Sequence, residues 1–273
     1  MARMKYGFVL LGNDKQVVEL AQEAEAAGWD AIFLPDDYGS AWLRLAAIAM
    51  KTERIRLGTM LTPLPQHHPW TVAAQVATLD HLSNGRVILT AGLGVLELDK
   101  VGLQENRKRA QMLDEGLDLL SLWWQGTSMR ELTYQGRHYQ LTEMAADVLW
   151  PTHKPLQQPR IPIWVVGGEK ASQVRRAARW DGALMHGSPE EIRQRWAMIE
   201  AQRIDSVPLE YIVEGETPGN DPEQARAMVQ TYAEAGATWW IESMWEEKDR
   251  GYDMLGRIRM GPPEGIENIQ GRR

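Results

Sequence analysis

A chain of 273 residues with 44% hydrophobic content can bury roughly three quarters of its unfolded surface, so it needs no disulfide or metal to fold. It contains no cysteine, which excludes disulfide frameworks, thiolate catalysis and cysteine-held zinc or iron–sulfur sites, and fits a reducing cytoplasm. A formal net charge of −7 with Lys and Arg scattered along the chain argues against a nucleic-acid or anionic-membrane footprint and for a small-molecule partner.

The first apolar run, Phe8 to Leu11, is far shorter than a signal peptide or a membrane span, so a cytoplasmic protein is expected. From there the chain repeats one unit, a short β-branched run followed by an amphipathic helix. Unit one is a strand over Tyr6 to Leu11 and a helix capped by Asp14 and stopped by Gly28. Unit two is Ala31 to Leu34 with a helix near Ala41 to Met50. Unit three is Ile55 to Met60, then a loop, then a helix from Pro69 that turns Val72, Val76, Leu79 and Leu82 inward and closes at Asn84-Gly85. Unit four is Val87 to Thr90 with a long helix from about Glu105 to Trp124.

The pattern breaks over about 125–160, where Tyr134 to Tyr139 reads as a hairpin and Pro151, Pro155 and Pro159 mark irregular backbone. Unit five resumes with Ile163 to Val166, the turn Gly167-Gly168 and a helix through Val174 and Ala178. Unit six is Gly182 to Met185 with a capping box from Ser188 to Glu191 around Pro189. Unit seven is Leu209 to Val213 with a helix between Asp221-Pro222 and Gly236, and unit eight is Thr238 to Ile241 with a helix near Glu247 to Ile258.

Eight such units predict a single (β/α)8 TIM barrel over residues 1–273, with the 125–160 segment as an insertion between unit four and strand five. An open doubly wound sheet is the alternative, and the lack of a dinucleotide fingerprint after strand one speaks against it. In such a barrel the site is built by the loops after the strand C-termini. Asp36 and Asp37 follow strand two as ligand-binding carboxylates or as a solvated turn. His67 and His68 follow strand three as a general acid or as ordinary loop histidines, and no third ligand at metal spacing accompanies them. Gly167-Gly168, with Lys170, Arg175 and Arg176 close behind, reads as an anion site or as a tight turn. Twelve tryptophans against two phenylalanines supply core filling or flat walls for a planar ligand.

Thr52-Glu-Arg-Ile-Arg-Leu-Gly-Thr59, then Pro69, then Ala77-Thr-Leu-Asp-His-Leu-Ser-Asn-Gly-Arg-Val-Ile-Leu89 closely resembles the signature of the bacterial luciferase-like flavin-dependent oxidoreductases, which share their barrel with deazaflavin-dependent reductases. Ala24 to Asp30, Arg107 with Asp114-Glu115, Gly136 to Tyr139, Ile161 to Gly168 and Ala177 to Gly182 agree further, and the match runs over most of the chain to about Gly187. The resemblance implies a non-prolyl cis peptide at Thr59-Met60 behind an isoalloxazine ring. It implies that Asp36 and Asp37 lie beside that ring, that Thr62 and Gly92 line its pocket, that Val166, Gly167 and Gly168 meet the ribityl or phosphate part, and that Trp42 is an aromatic neighbour.

Two departures stand out. Relatives that use deazaflavin usually carry Asp-His where this chain has Asp36-Asp37, and the long insertion of the luciferase subunits after strand seven is missing, so light emission is not expected. The resulting expectation is an oxidoreductase or monooxygenase that exchanges hydride or activates oxygen on a small organic substrate. Its cofactor is FMN, favoured by the chain's acidity, with the acidic-tailed deazaflavin coenzyme F-420 as alternative. Asp37 and His68 are the expected catalytic residues, with His67 and Glu216 as further polar contacts, and no metal is expected. A flavin-binding barrel without turnover is the competing reading. Exposed tryptophan points to a homodimer.

Overall fold

Short apolar runs cannot bury themselves singly, and here they pair side by side while the amphipathic helices cover their outer faces. The structure is a computed structural model that describes residues 3–36, 39–94, 106–125, 133–142, 154–204, 207–246 and 251–267. In chain order the elements are β1 (Lys5–Val9), α1 (Asp14–Ala26), β2 (Ala31–Leu34), α2 (Ser40–Ala49), β3 (Arg56–Thr59), β4 (Thr62–Pro63), α3 (Pro69–Leu82), β5 (Val87–Gly92) and α4 (Asn106–Gln125). There follow β6 (Tyr134–Gln135), β7 (Gln140–Leu141), β8 (Ile163–Val166), α5 (Ala171–Ala177), β9 (Gly182–Met185), α6 (Pro189–Glu200), β10 (Glu210–Gly215), α7 (Pro222–Ala235), β11 (Trp239–Glu242) and α8 (Met254–Arg259).

Eight parallel strands close a ring in the order β1, β2, β3, β5, β8, β9, β10, β11 and back to β1. The expected barrel is therefore present. The hairpin of β6 and β7 pairs antiparallel inside the expected insertion, while residues 126–132 and 143–153 of that segment lie outside the described residues.

Two apolar layers hold the ring. The outer one, between strands and helices, contains Val17, Trp29, Leu45, Val76, Leu117, Leu120 and Trp240. The inner one fills the barrel with Val9, Phe33, Met60, Ile88, Trp164, Leu184, Ile212, Trp239 and Ile241. Trp164 stands 5.7 Å from Phe33 and 5.1 Å from Trp239, centroid to centroid. Three large rings fit in one narrow barrel because facing positions carry no side chain. A Cβ on Gly7 would lie 2.7 Å from both Ile241 Cδ1 and Phe33 Cε2, and one on Gly58 2.7 Å from Phe33 Cε1.

Several local expectations shift. Asn13, rather than Asp14, caps α1, because Gln16 returns its side chain to the Asn13 amide in a capping box. Leu82 is 46% exposed, since it sits at the last turn of α3 beyond the reach of the barrel. Gly167-Gly168 does not open a helix, because α5 starts at Ala171. Among the described tryptophans Trp245 is exposed and Trp70 partly so, and the others are buried. Among the described residues no helix is long and apolar enough to cross a membrane.

Candidate active site

The strands of the ring alternate inward and outward side chains, and the inward set runs on past the strand ends. Trp164, Leu184, Ile212 and Ile241 point into the barrel; two residues further along, Val166, His186, Glu214 and Ser243 line a cavity of about 300 Å³ at its C-terminal mouth. Met60, Leu61, Leu184 and Trp245 complete the wall. The volume is at the low end of small-molecule sites, and the lining has their usual character, mostly apolar with a few polar groups on one side.

The polar side is built around Glu214. Its Oε1 accepts a hydrogen bond from Trp245 Nε1, and its Oε2 lies 3.7 Å from His186 Nε2. Glu216 does not line the cavity, because β10 ends at Gly215 and the chain turns away. Ser243 donates weakly to the Gly215 carbonyl at 3.4 Å, which ties the ends of β10 and β11 together.

On the opposite wall β3 stays in register through Met60, whose amide donates to Leu34 O at 2.8 Å. The chain leaves the sheet only after that residue, and the non-prolyl cis peptide accordingly joins Met60 to Leu61, one bond later than the resemblance implied. Thr59 and Thr62 stand behind this wall: their hydroxyls are 2.8 Å apart, and Thr59 Oγ1 also reaches Thr90 O at 3.3 Å. Both are fully buried, so they brace the wall and do not face the cavity. Gly92 lies under Leu61, where a Cβ would come within 2.8 Å of Leu61 Cδ1. Trp42 is buried in the layer between barrel and helices and does not line the cavity.

Beside Val166 the Gly167 amide donates to Leu184 O at 2.8 Å. A Cβ on Gly167 would lie 2.7 Å from Met185 Cε, and one on Gly168 would strike the Gln173 amide. Close approach, not positive φ, is what these glycines provide. Of the basic residues expected behind them, Lys170 and Arg175 are exposed and one is engaged. Arg176 turns to α4 and binds Asp114 at 2.5 and 2.9 Å. Arg195 donates to His186 O at 2.6 Å and pairs with Glu169.

The loop histidines separate. The His67 backbone is extended (φ −120°, ψ 158°), and in extended chain neighbouring side chains point to opposite sides. His68 is exposed at the N-cap of α3 and stacks on Trp70 at 5.0 Å. His67 turns inward toward Asp36, and neither histidine lines the cavity. His67 Nε2 lies 3.8 Å from Asp36 Oδ2, and the Asp36 side chain is wholly buried. Asp36 Oδ1 accepts the Gly39 amide at 3.0 Å, in a turn that Gly39 closes with φ 83°. Burial pushes the Asp36 carboxyl above the ordinary carboxylate range, against the pull of His67 and of the nearby Thr62 hydroxyl. Asp37 lies outside the described residues.

A larger groove of about 1480 Å³ runs outside the barrel between α7 and residues 257–267. Its arginines are engaged, Arg226 with Gly265 O, Arg257 with Glu242 and Arg259 with Glu23, and it shares no lining residue with the mouth cavity. No group of three His, Asp or Glu side chains suited to a metal occurs among the described residues.

Leu61, His186, Glu214 and Ser243 fall in loops that the order of strands nominates for the site, whereas Leu184 and Trp245 do not; Leu184 is itself an inward strand position, and counting two residues on from each such position gives Val166 and the polar set.

A family model for luciferase-like monooxygenases matches residues 11–249. An uncharacterized protein of Mycobacterium tuberculosis is 32% identical over 199 residues, covering 61% of this chain and 67% of its own length. Two solved structures share the fold. The coenzyme F-420 dependent tetrahydromethanopterin reductase from Methanopyrus kandleri has a TM-score of 0.74 at 16% identity over 95% of this chain and 97% of that one. The oxygenating constituent of 3,6-diketocamphane monooxygenase from Pseudomonas putida, in complex with FMN, has a TM-score of 0.73 at 16% identity over 97% and 99%. With eight parallel strands closed and the model matched across nearly all of them, the chain belongs to the luciferase-like monooxygenase family.

Proposed function

We propose that this protein is an oxidoreductase that binds FMN across the barrel mouth and acts on a small organic substrate. The observation that carries the reading is the mouth cavity itself. Its walls, Met60, Leu61, Val166 and Leu184, are apolar, and Glu214, His186 and Ser243 are gathered on one side, which suits a flat ring with one edge of heteroatoms. The glycine pair after Val166 keeps backbone close to the rim, where a Cβ would collide and where the ribityl phosphate would leave the cavity.

When bound, FMN supplies the hydride exchange or oxygen activation, and the protein supplies orientation and exclusion of water. Met60 and Leu61 would back the ring. Glu214, held by the Trp245 indole, would take a hydrogen bond from a ring N–H.

Coenzyme F-420 is the second reading, because a reductase dependent on it shares this barrel. A net charge of −7 and the engagement of Arg176 and Arg195 with Asp114 and Glu169 favour the single phosphate of FMN over a long acidic tail. Anaerobic titration of the purified protein with FMN, and separately with the deazaflavin, followed by cofactor fluorescence, tests the choice. Saturable quenching is expected with FMN at far lower concentration than with the deazaflavin, and the reverse order would overturn it.

A further inference from the structure

Two buried polar atoms face each other in the loops that follow β2 and β3 at the C-terminal end of the barrel, and neither has a hydrogen-bond partner there. Asp36 Oδ2 and His67 Nε2 are both shielded from solvent and lack a hydrogen-bond partner among the described residues. Their separation of 3.8 Å is an ion-pair distance and too long for a hydrogen bond. Leaving two such groups unpaired in a folded core is costly, while catalytic hydrogen bonds are commonly long before substrate arrives and shorten with it. The surroundings are arranged to hold this geometry. Asp36 Oδ1 is fixed by the Gly39 amide, the His67 amide is fixed to Leu64 O at 3.1 Å, and a Cβ on Gly39 would stand only 3.5 Å from His67 Cε1, so glycine there lets the imidazole lie over the turn. With Nε2 turned to the carboxylate, Nδ1 is the ring nitrogen left for a ligand.

We propose that Asp36 and His67 form a proton-transfer dyad, in which Asp36 positions the imidazole through Nε2 and Nδ1 exchanges a proton with an oxygen of the substrate. The substrate class this selects is one whose oxygen gains or loses a proton as its carbon is reduced or oxidised, an alcohol or carbonyl compound. In the reducing direction hydride from the reduced cofactor adds to the carbonyl carbon, the C=O π pair moves onto oxygen, and the proton on Nδ1 of protonated His67 passes to that oxygen. The ring is left neutral and is reprotonated from water. The assignment rests on the redox reading above for its substrate, but its geometry can be tested without cofactor.

The test uses ligand-free protein with 13C-labelled aspartate carboxyls and 15N-labelled histidine, followed by NMR against pH. His67, when protonated, pulls the Asp36 carboxyl downward, so in His67→Gln the Asp36 titration is expected to move to higher pH. An unmoved midpoint overturns the dyad. In Asp36→Asn, which keeps the contact to Gly39 but removes the charge, the wild-type preference for a proton on His67 Nε2 should be lost; 15N shifts identical to wild type overturn it as well. In cofactor-loaded protein, turnover of a carbonyl substrate by His67→Gln should fall at least about 100-fold with a flattened pH profile. Failure of the wild-type protein to bind FMN or deazaflavin would remove the redox reading and leave the NMR result standing. Binding together with an unmoved Asp36 titration would remove the dyad alone.

Discussion

Glu242 Oε2 and Arg257 Nη2 lie 3.3 Å apart with both side chains almost wholly shielded from water. Thr217 donates to the same carboxylate from its amide at 2.7 Å and its hydroxyl at 2.8 Å, and the Trp240 indole adds a further bond at 3.0 Å. This cluster joins the end of β11 to α8 and to the loop after β10.

Removing one member of a buried pair leaves the other charged and unpaired, which costs far more than the pair contributes. Arg257→Met is expected to lower stability by about 3–5 kcal/mol in urea unfolding, and the double variant Arg257→Met, Glu242→Met should recover most of that loss. A single variant within about 0.5 kcal/mol of wild type would show that the pair is not shielded as described.

Burial raises the folded-state pKa of Asp36 above its unfolded value. The folded protein therefore holds that proton more tightly than the unfolded chain, and the associated stability is complete below the unfolded pKa and lost as pH rises through the folded one. Burial also raises Glu242, which adds a loss of the same sign. Thermal unfolding across pH should show wild type losing stability above the ordinary carboxylate range, and Asp36→Asn losing less over the same interval. Parallel curves for the two proteins would contradict the placement of this carboxylate.

The barrel interior makes a sterically sharper claim. In Gly58→Ala the new Cβ would meet Phe33 Cε1 at 2.7 Å and the Ile88 carbonyl oxygen at 2.9 Å, and the second of these is backbone in the ring. Overpacking of this kind costs about 1–3 kcal/mol, measurable by urea unfolding. A neutral substitution would mean that Phe33 does not fill the barrel opposite β3.

Much of this architecture can be read locally. Pro69 starts α3, Asn84 and Gly85 stop it with φ of 56° and 81°, and Ser188 and Glu191 form the capping box that opens α6, because each depends on residues within one turn. The extent of Ala31–Leu34 follows from its apolar run in the same way. What the sequence did not disclose depends on partners far along the chain. Lys170, Arg175 and Arg176 behind Gly167-Gly168 read equally as an anion site or as the flank of a tight turn, and only the packing of α4 brings Asp114 to claim Arg176. Which of two adjacent histidines turns inward is decided by the backbone after Leu64–Gln66 and by the buried Asp36, neither visible in composition. Trp245 reaches the cavity only because Glu214, on another strand, holds its indole.

The most direct test of the mouth as an FMN site is to fill it. Val166 lines the cavity and is only half-buried, so a larger side chain there can grow into the open space without displacing the core. FMN fluorescence quenching should be measured for wild type and Val166→Trp side by side, with thermal unfolding of both as a control for folding. The account predicts saturable quenching by wild type and none by the variant, with similar unfolding temperatures. Equal binding by the two proteins would place the flavin elsewhere, and no binding by wild type would contradict the assignment outright.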